Sequence, residues 1–343
     1  TIASIIGAVQ KTAIDRKCKD NITEALVDEV LLKELKTVKE MIDTCPADRD
    51  ETRAEYTARY NIVASYAPEQ LTEEDIALEL VMFCNLEGID LVKENKALLG
   101  TKGQKYDEFP LLIKFIDAKA DLSVQVHPDD EYARIHENSY GKTEAWYILD
   151  CDEGAQLIYG FNKELTSDEF KKSIEDNTFL DYVNKVTVKK GDVFFINAGT
   201  LHAIGSGILL AEVQQNCNTT YRVYDYNRMV NGKPRELHVE KAIDVTDTVP
   251  PVRGGDPDSA PVIKGDATEQ ALCQCEFFKM DTLEVDGKYD LTITDESFVS
   301  VLVLEGEGTI NSLTAKAGDS FFLPAGDYAT SIEGKIKVLV STL

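Results

Sequence analysis

Two styles of hydrophobic patterning divide the chain. Over Glu24–Met41 (EALVDEVLLKELKTVKEM) apolar residues recur at spacings of three and four, which predicts an amphipathic helix with one buried face. Asn21 or Thr23 is placed to cap its start. CPADRD at Cys45–Asp50 reads as a turn, and a second helix is expected over Glu51–Tyr66. Pro68 follows it, and Thr72 with Asp75 three residues on offers a fresh cap. From about Phe109 the style changes. Short runs of Val, Ile, Phe and Tyr alternate with Gly and Asp turns, which predicts an all-β barrel or sandwich. Helical stretches at Ser167–Asp176 and Glu236–Val245 interrupt it. The expected organisation is a helical segment over 1–76, a linker over 77–108, a β-domain with helical insertions over 109–250 and a second β-domain over 251–343.

The β-part contains an internal repeat. Gly191–Gly199 reads GDVFFINAG and Gly318–Gly326 reads GDSFFLPAG; upstream, WYILDCDEG at Trp146–Gly154 is echoed by VLVLEGEG at Val301–Gly308. In each copy strands come first and a G-D-x-F-F-x-x-A-G turn-strand-turn follows. Two related β-units predict a mainly β fold, a cupin (jelly-roll) pair or one barrel and a degenerate copy, behind a helical N-terminal segment.

Composition narrows the function. The net charge is -25 and 43% of residues are hydrophobic. Such acidity argues against a general nucleic-acid surface, which recruits Lys and Arg stripes. A small anionic ligand remains compatible, because two or three convergent cations act locally. No apolar run approaches the length of a membrane span. The seven cysteines are odd in number and scattered, and Cys273 and Cys275 are too close along one strand for an easy bridge; reduced thiols and a cytoplasmic location are expected.

The first β-unit concentrates candidate chemistry. In SVQVHP, alternation puts Ser123, Gln125 and His127 on one side of a strand. Lys142 and Glu144 share a face at the opening of the next strand, and His202 follows the GDVFFINAG turn. One amide, one carboxylate and two imidazoles thus converge from three places along the chain. Nitrogen and oxygen donors without a thiolate suit a catalytic Zn²⁺, with Fe²⁺ or Mn²⁺ also compatible. A lone histidine on an apolar face is more often a satisfied core residue, but here two of four histidines fall beside Gln and Glu. The second copy places Ala329 where the first has His202, so the scaffold is expected not to need the imidazole for folding. His136 and His238 read as solvent-facing.

The segments QVHPDDEYA, GKTEAWYIL, GTLHAIGSGILLAEVQ and YRVYDYNR make the pattern specific. From about Gly88 to Leu343 the chain resembles the short bacterial form of type I mannose-6-phosphate isomerase. The resemblance implies a zinc-dependent cupin pair that interconverts mannose 6-phosphate and fructose 6-phosphate. It places the zinc ligands on Gln125, His127, Glu144 and His202, active-site roles on Arg222 and Glu212, and substrate-side roles on Lys142 and Ser123. An aldose–ketose shift needs a base, a cation for the developing oxyanion and a polarising ion. Arg222, always charged and planar, suits the cation. Lys142 or Glu212 serves as base; the residues alone leave both open.

The N-terminal part departs from that family. Residues from Thr1 to about Ile76 resemble the helical part of the GatB/YqeY family at AVQK, VLLKELKTVKEMID and YAPEQLTEEDI. The family's usual opening strands, with their Trp-Gly-Gly segment, are not found. Two other functions are therefore set beside the isomerase: a sugar-binding cupin without turnover, and a tRNA-linked adaptor working through the helices.

Overall fold

In the computed structural model, residues 9, 11–12, 24–43, 49–64 and 96–343 are described, apart from 177, 227, 231–232 and 252–253. The chain divides into two compact units, Thr1–Leu80 and Val81–Leu343. In the first, helices span Glu24–Asp43 and Asp50–Ala64. Leu26, Val30, Leu31 and Leu35 form a buried stripe joined by Val63, the face that the spacing of three and four dictates. Glu34 and Arg59 form an ion pair between the two helices. The proposed caps at Asn21, Thr23 and Thr72 lie outside the described residues.

Among the described residues of the second unit, the strands pair antiparallel. Nine strands make its first half: β1 (Leu111–Ala118), β2 (Val124–Val126), β3 (Glu144–Cys151), β4 (Gln156–Phe161), β5 (Val183–Thr187), β6 (Val193–Ile196), β7 (His202–Ala203), β8 (Ile208–Gln215) and β9 (Tyr221–Tyr224). They form a four-stranded sheet, β1-β8-β3-β6, and a five-stranded sheet, β5-β4-β7-β2-β9. Trp146, Ile148, Tyr159, Phe194 and Leu210 pack between the two sheets. Trp146 and Phe194 are fully buried, and each contributes roughly 2 kcal/mol through area removed from water. The outer face of the five-stranded sheet is covered by helices Ser167–Glu175 and Val239–Val245, through Phe170 and Ala242. The first of these opens on a capping box, with Thr166 and Glu169 bonding each other's backbone N–H. The second is shorter than the sequence suggests: 236–238 are not helical, and His238 N–H bonds back to Arg222 O of β9.

A small hairpin, β10 (Met229–Val230) and β11 (Lys233–Pro234), precedes the second half. There β12 (Val262–Lys264), β13 (Ala267–Gln274), β14 (Lys279–Ile293), β15 (Val299–Ile310), β16 (Leu313–Lys316), β17 (Ser320–Leu323) and β18 (Tyr328–Thr342) form one seven-stranded sheet. Its inner face buries Val285, Val301, Ile336 and Val338. Its other face packs Met280, Phe298 and Leu339 against Tyr147, Val193 and Val213 of the first half.

The sequence repeat is a repeat of hydrogen bonds. Asp192 Oδ2 accepts from Lys189 N at 3.0 Å, and Asp319 Oδ2 accepts from Lys316 N at 2.9 Å. Gly191 and Gly318 have φ of +92° and +93°, a backbone that glycine adopts without Cβ strain. Both turns bond back to the strand behind: Gly191 N to Ile148 O and Gly318 N to Val303 O. Each of those strands carries a bulge one residue later, between Ile148 and Asp150 and between Val303 and Glu305.

Candidate metal centre

Register assembles the site between the two sheets of the first half. In the five-stranded sheet Gln125 lies opposite His202 on β7 and opposite Arg222 on β9. Residues directly opposite on paired strands point to one face, so His202, Gln125 and Arg222 form a row. In the four-stranded sheet Glu144 lies opposite Gln214, and Glu212 lies opposite both Trp146 and Lys114. This second row faces the first.

Glu144 approaches both imidazoles: its Oε1 is 3.3 Å from His202 Nε2, and its Oε2 is 3.6 Å from His127 Nε2. One ligand atom from each of the three residues falls within a 4.8 Å set. All three side chains are at most 1% exposed. Backbone carbonyls fix the ring tautomers. His127 Nδ1 donates to Thr219 O at 2.9 Å and His202 Nδ1 donates to Thr200 O at 2.8 Å. A carbonyl can only accept, so each Nδ1 carries the proton and each Nε2 presents a lone pair to the pocket. Burial, and next the Lys142 ammonium, push His127 well below the usual imidazole range. Burial likewise lowers His202, to about 4. Both rings are therefore neutral at neutral pH, the form that binds a metal.

The arrangement fits a divalent cation on its own terms. His127 Nε2 and Glu144 Oε1 are buried and receive no hydrogen bond; such orphans cost free energy unless an ion or a donor meets them. Gln125 extends the set. Its Nε2 is 3.3 Å from His202 Nε2, and its Oε1 accepts from Ser123 Oγ at 3.2 Å. An imidazole lone pair selects the amide nitrogen; a cation selects the oxygen, which a half-turn of the amide brings to the same place. Ser123 thus touches the Gln125 amide.

Charge is balanced around the triad. Lys142 Nζ is 2.9 Å from Glu144 Oε2, with both side chains buried. Burial and then the Glu212 charge push the Glu144 carboxyl up. Burial acts in the same direction on Glu212, but Lys114 and Lys142 outweigh it and hold that carboxyl down. Burial opposes the Lys142 charge, yet Glu144 and Glu212 keep it above the ordinary lysine value. The Lys142 loop is anchored by Asp130 Oδ1, which accepts from Gly141 N at 2.6 Å and from Gln215 Nε2 at 3.2 Å. A Cβ at Gly141 would stand 2.4 Å from the Asp129 carbonyl carbon, so only glycine lets the chain pass there.

Two participants, Lys114 and Trp146, are not foreseen from the sequence. Lys114 Nζ donates to Glu212 Oε1 at 3.0 Å and to Gln214 Oε1 at 2.6 Å. Trp146 Nε1 donates to Glu212 Oε2 at 2.9 Å. The signal for Lys114 is present in LLIKFIDA: Leu112, Lys114 and Ile116 share a face, and a lysine between two inward aliphatics is an inward lysine. His238 needs a correction. It is half-buried and its Nδ1 accepts from Arg222 N at 3.3 Å, because the stretch before its helix turns back onto β9. His136 is exposed, as expected, and stacks on Tyr132. Ala329 is also exposed, whereas its neighbour Thr330 is fully buried. The inward counterpart of His202 is therefore displaced by one residue, and it too lacks an imidazole.

Residues 268–343 match the family described as mannose-6-phosphate isomerase, cupin domain, and residues 37–157 match phosphomannose isomerase type I, catalytic domain. "Mannose-6-phosphate isomerase ManA" of Bacillus subtilis is 43% identical over 243 residues, covering 69% of this chain and 76% of that protein. The chain belongs to the type I mannose-6-phosphate isomerase family. A second relative, "Mannose-6-phosphate isomerase" of Streptococcus mutans, is 36% identical over 260 residues, covering 74% of this chain and 79% of that one. The crystal structure of the mannose 6-phosphate isomerase from Bacillus subtilis superposes with a TM-score of 0.68 at 37% identity, over 74% of this chain and 81% of that one. The catalytic-domain match begins at residue 37, inside the stretch read from sequence as GatB/YqeY-like. Among the described residues no helix is long and apolar enough to cross a membrane.

Proposed function

We propose that this type I isomerase interconverts mannose 6-phosphate and fructose 6-phosphate at the buried His127–Glu144–His202 cluster. The observation that carries the reading is the pair of neutral imidazoles, tautomers fixed by Thr219 and Thr200, aimed at one carboxylate, with His127 Nε2 and Glu144 Oε1 buried and receiving no hydrogen bond. Gln125, His127, Glu144 and His202 would hold the ion, which we take to be Zn²⁺ from the donor set. When bound, a divalent ion polarises the sugar's carbonyl and hydroxyl oxygens as a Lewis acid.

The protein's own groups divide the remaining work. Glu212, held ionised by Lys114 and Lys142 and bonded through its two oxygens to Lys114 and Trp146, carries no proton at neutral pH and can accept the one that moves between C1 and C2, though its lowered basicity makes it a weak base. Lys142, kept as an ammonium by Glu144 and Glu212, is suited to hold negative charge on the substrate rather than to take a proton. Arg222, in the row beside Gln125 and His202, faces the developing oxyanion. Ser123 orients Gln125 from the substrate side. Residues 109–250 then form the catalytic cupin and residues 251–343 a metal-free one, in a cytoplasmic protein. A coupled assay for fructose 6-phosphate on metal-loaded protein tests the reading. Turnover is expected; folded, metal-loaded protein without turnover would leave a sugar-binding cupin instead.

A further inference from the structure

His238 occupies the N-terminal cap position of helix Val239–Val245, yet its side chain makes no capping bond there. It is turned to β9 instead. Arg222 N–H donates to His238 Nδ1 at 3.3 Å, and His238 N–H donates to Arg222 O at 2.8 Å. One residue thus grips both the donor and the acceptor of the Arg222 main chain. That main chain lies opposite Gln125, whose other neighbour across the sheet is His202. A shift of the strand at Arg222 moves the guanidinium relative to the metal row.

The bond also sets the ring's state. A backbone N–H only donates, so Nδ1 carries the lone pair and the neutral ring keeps its proton on Nε2. Burial, and next the Arg222 charge, hold His238 below the usual imidazole value. Of the other charges that face it, Lys241 acts with them and Glu236 and Glu137 against them. The Tyr221 ring packs at 6.2 Å between centroids.

We propose that His238 is a positioning residue for the isomerisation, its Nδ1 and main-chain N–H locking the Arg222 segment of β9 beside the metal row. The proposal rests on the role given to Arg222. It predicts a distinction between two replacements. Leucine fills the site without an acceptor. Asparagine places Oδ1 close to the position of Nδ1 and also suits the start of a helix.

The test is steady-state kinetics on the metal-loaded full chain carrying His238→Leu, His238→Asn or Arg222→Ala, with metal content measured on each sample. For His238→Leu, kcat is expected to fall about tenfold, the worth of one positioning hydrogen bond, with KM and metal content little changed. His238→Asn is expected to recover most of the loss, which simple filling of space would not produce. Full kcat in His238→Leu overturns the proposal, as do equal losses in both His238 variants or activity that falls in step with lost metal. Arg222→Ala separates the two layers. Normal turnover there removes the arginine's role and this proposal together. An inactive Arg222→Ala beside a normal His238→Leu removes the positioning role alone.

Discussion

The two halves of the β-unit share a backbone plan and differ in what they put inside it. Aligning the bulges and the Gly-Asp turns pairs Ile148 with Val303, and hence β3 with β15 and β8 with β18. Four residues upstream of that pair, Glu144 in the first half becomes Val299 in the second. Two residues along the neighbouring strand from the partners Leu210 and Val338, Glu212 becomes Val340. Both valines are buried within the aliphatic core of the second half. One copy thus spends its interior on carboxylates and imidazoles, which burial alone would disfavour; the other fills the same positions with aliphatic side chains that need no partner. The lesson is that the chemistry is separable from the fold. The second half folds around valines, so the polar groups of the first answer to function.

The comparison breaks first at the metal. His202→Ala is expected to lose bound metal and turnover together, by at least about a thousandfold in kcat given the several kcal/mol such an ion supplies; metal analysis and the coupled assay read both. Retained stoichiometric metal would remove His202 from the ligand set. Arg222→Ala comes next: metal and melting temperature unchanged, kcat lower by about a hundredfold or more, the loss of one preorganised oxyanion partner.

A third change sharpens the comparison from the other side. Val299→Glu places a carboxylate at the position of Glu144 without imidazoles or a Lys142 beside it. It should destabilise by about 3 kcal/mol and bind no added metal, because a buried charge there has no partner. Denaturant unfolding measures the first and equilibrium dialysis the second; an unchanged stability would show that the second interior is already wet. The smallest effects concern the shared turn. Asp192→Ala should cost about 1 kcal/mol and Asp319→Ala about half that, since each accepts one backbone N–H but only Asp192 is buried. Equal losses would mean that burial does not weight the turn bond.

Much of this was legible along the chain, for a physical reason. Strand alternation is local, so Ser123, Gln125 and His127 could be put on one face, and Lys142 with Glu144 on another, without tertiary knowledge. The repeat exposed the two-fold plan through GDVFFINAG and GDSFFLPAG. What stayed hidden depends on register across strands distant in sequence. Lys114 meets Glu212 from 98 residues away, and Trp146 meets it from the other side. His238 reaches Arg222 only because 236–238 leave the helical path. The offset at Ala329 is a change in strand entry after an otherwise identical turn, which residue counting cannot see. The helical segment was readable as helices, but its family likeness was not decisive, since the catalytic-domain match begins within it.

The central claim is that one divalent ion in the first half, and none in the second, makes this chain an isomerase. Its most direct measurement is to strip the protein with a chelator and titrate Zn²⁺ back while following fructose 6-phosphate formation. Activity is expected to be absent in stripped, folded protein and to rise linearly to a break at about one ion per chain, consistent with a single donor set that leaves a position open for substrate. Full turnover in stripped protein, or a break at two ions, would contradict it.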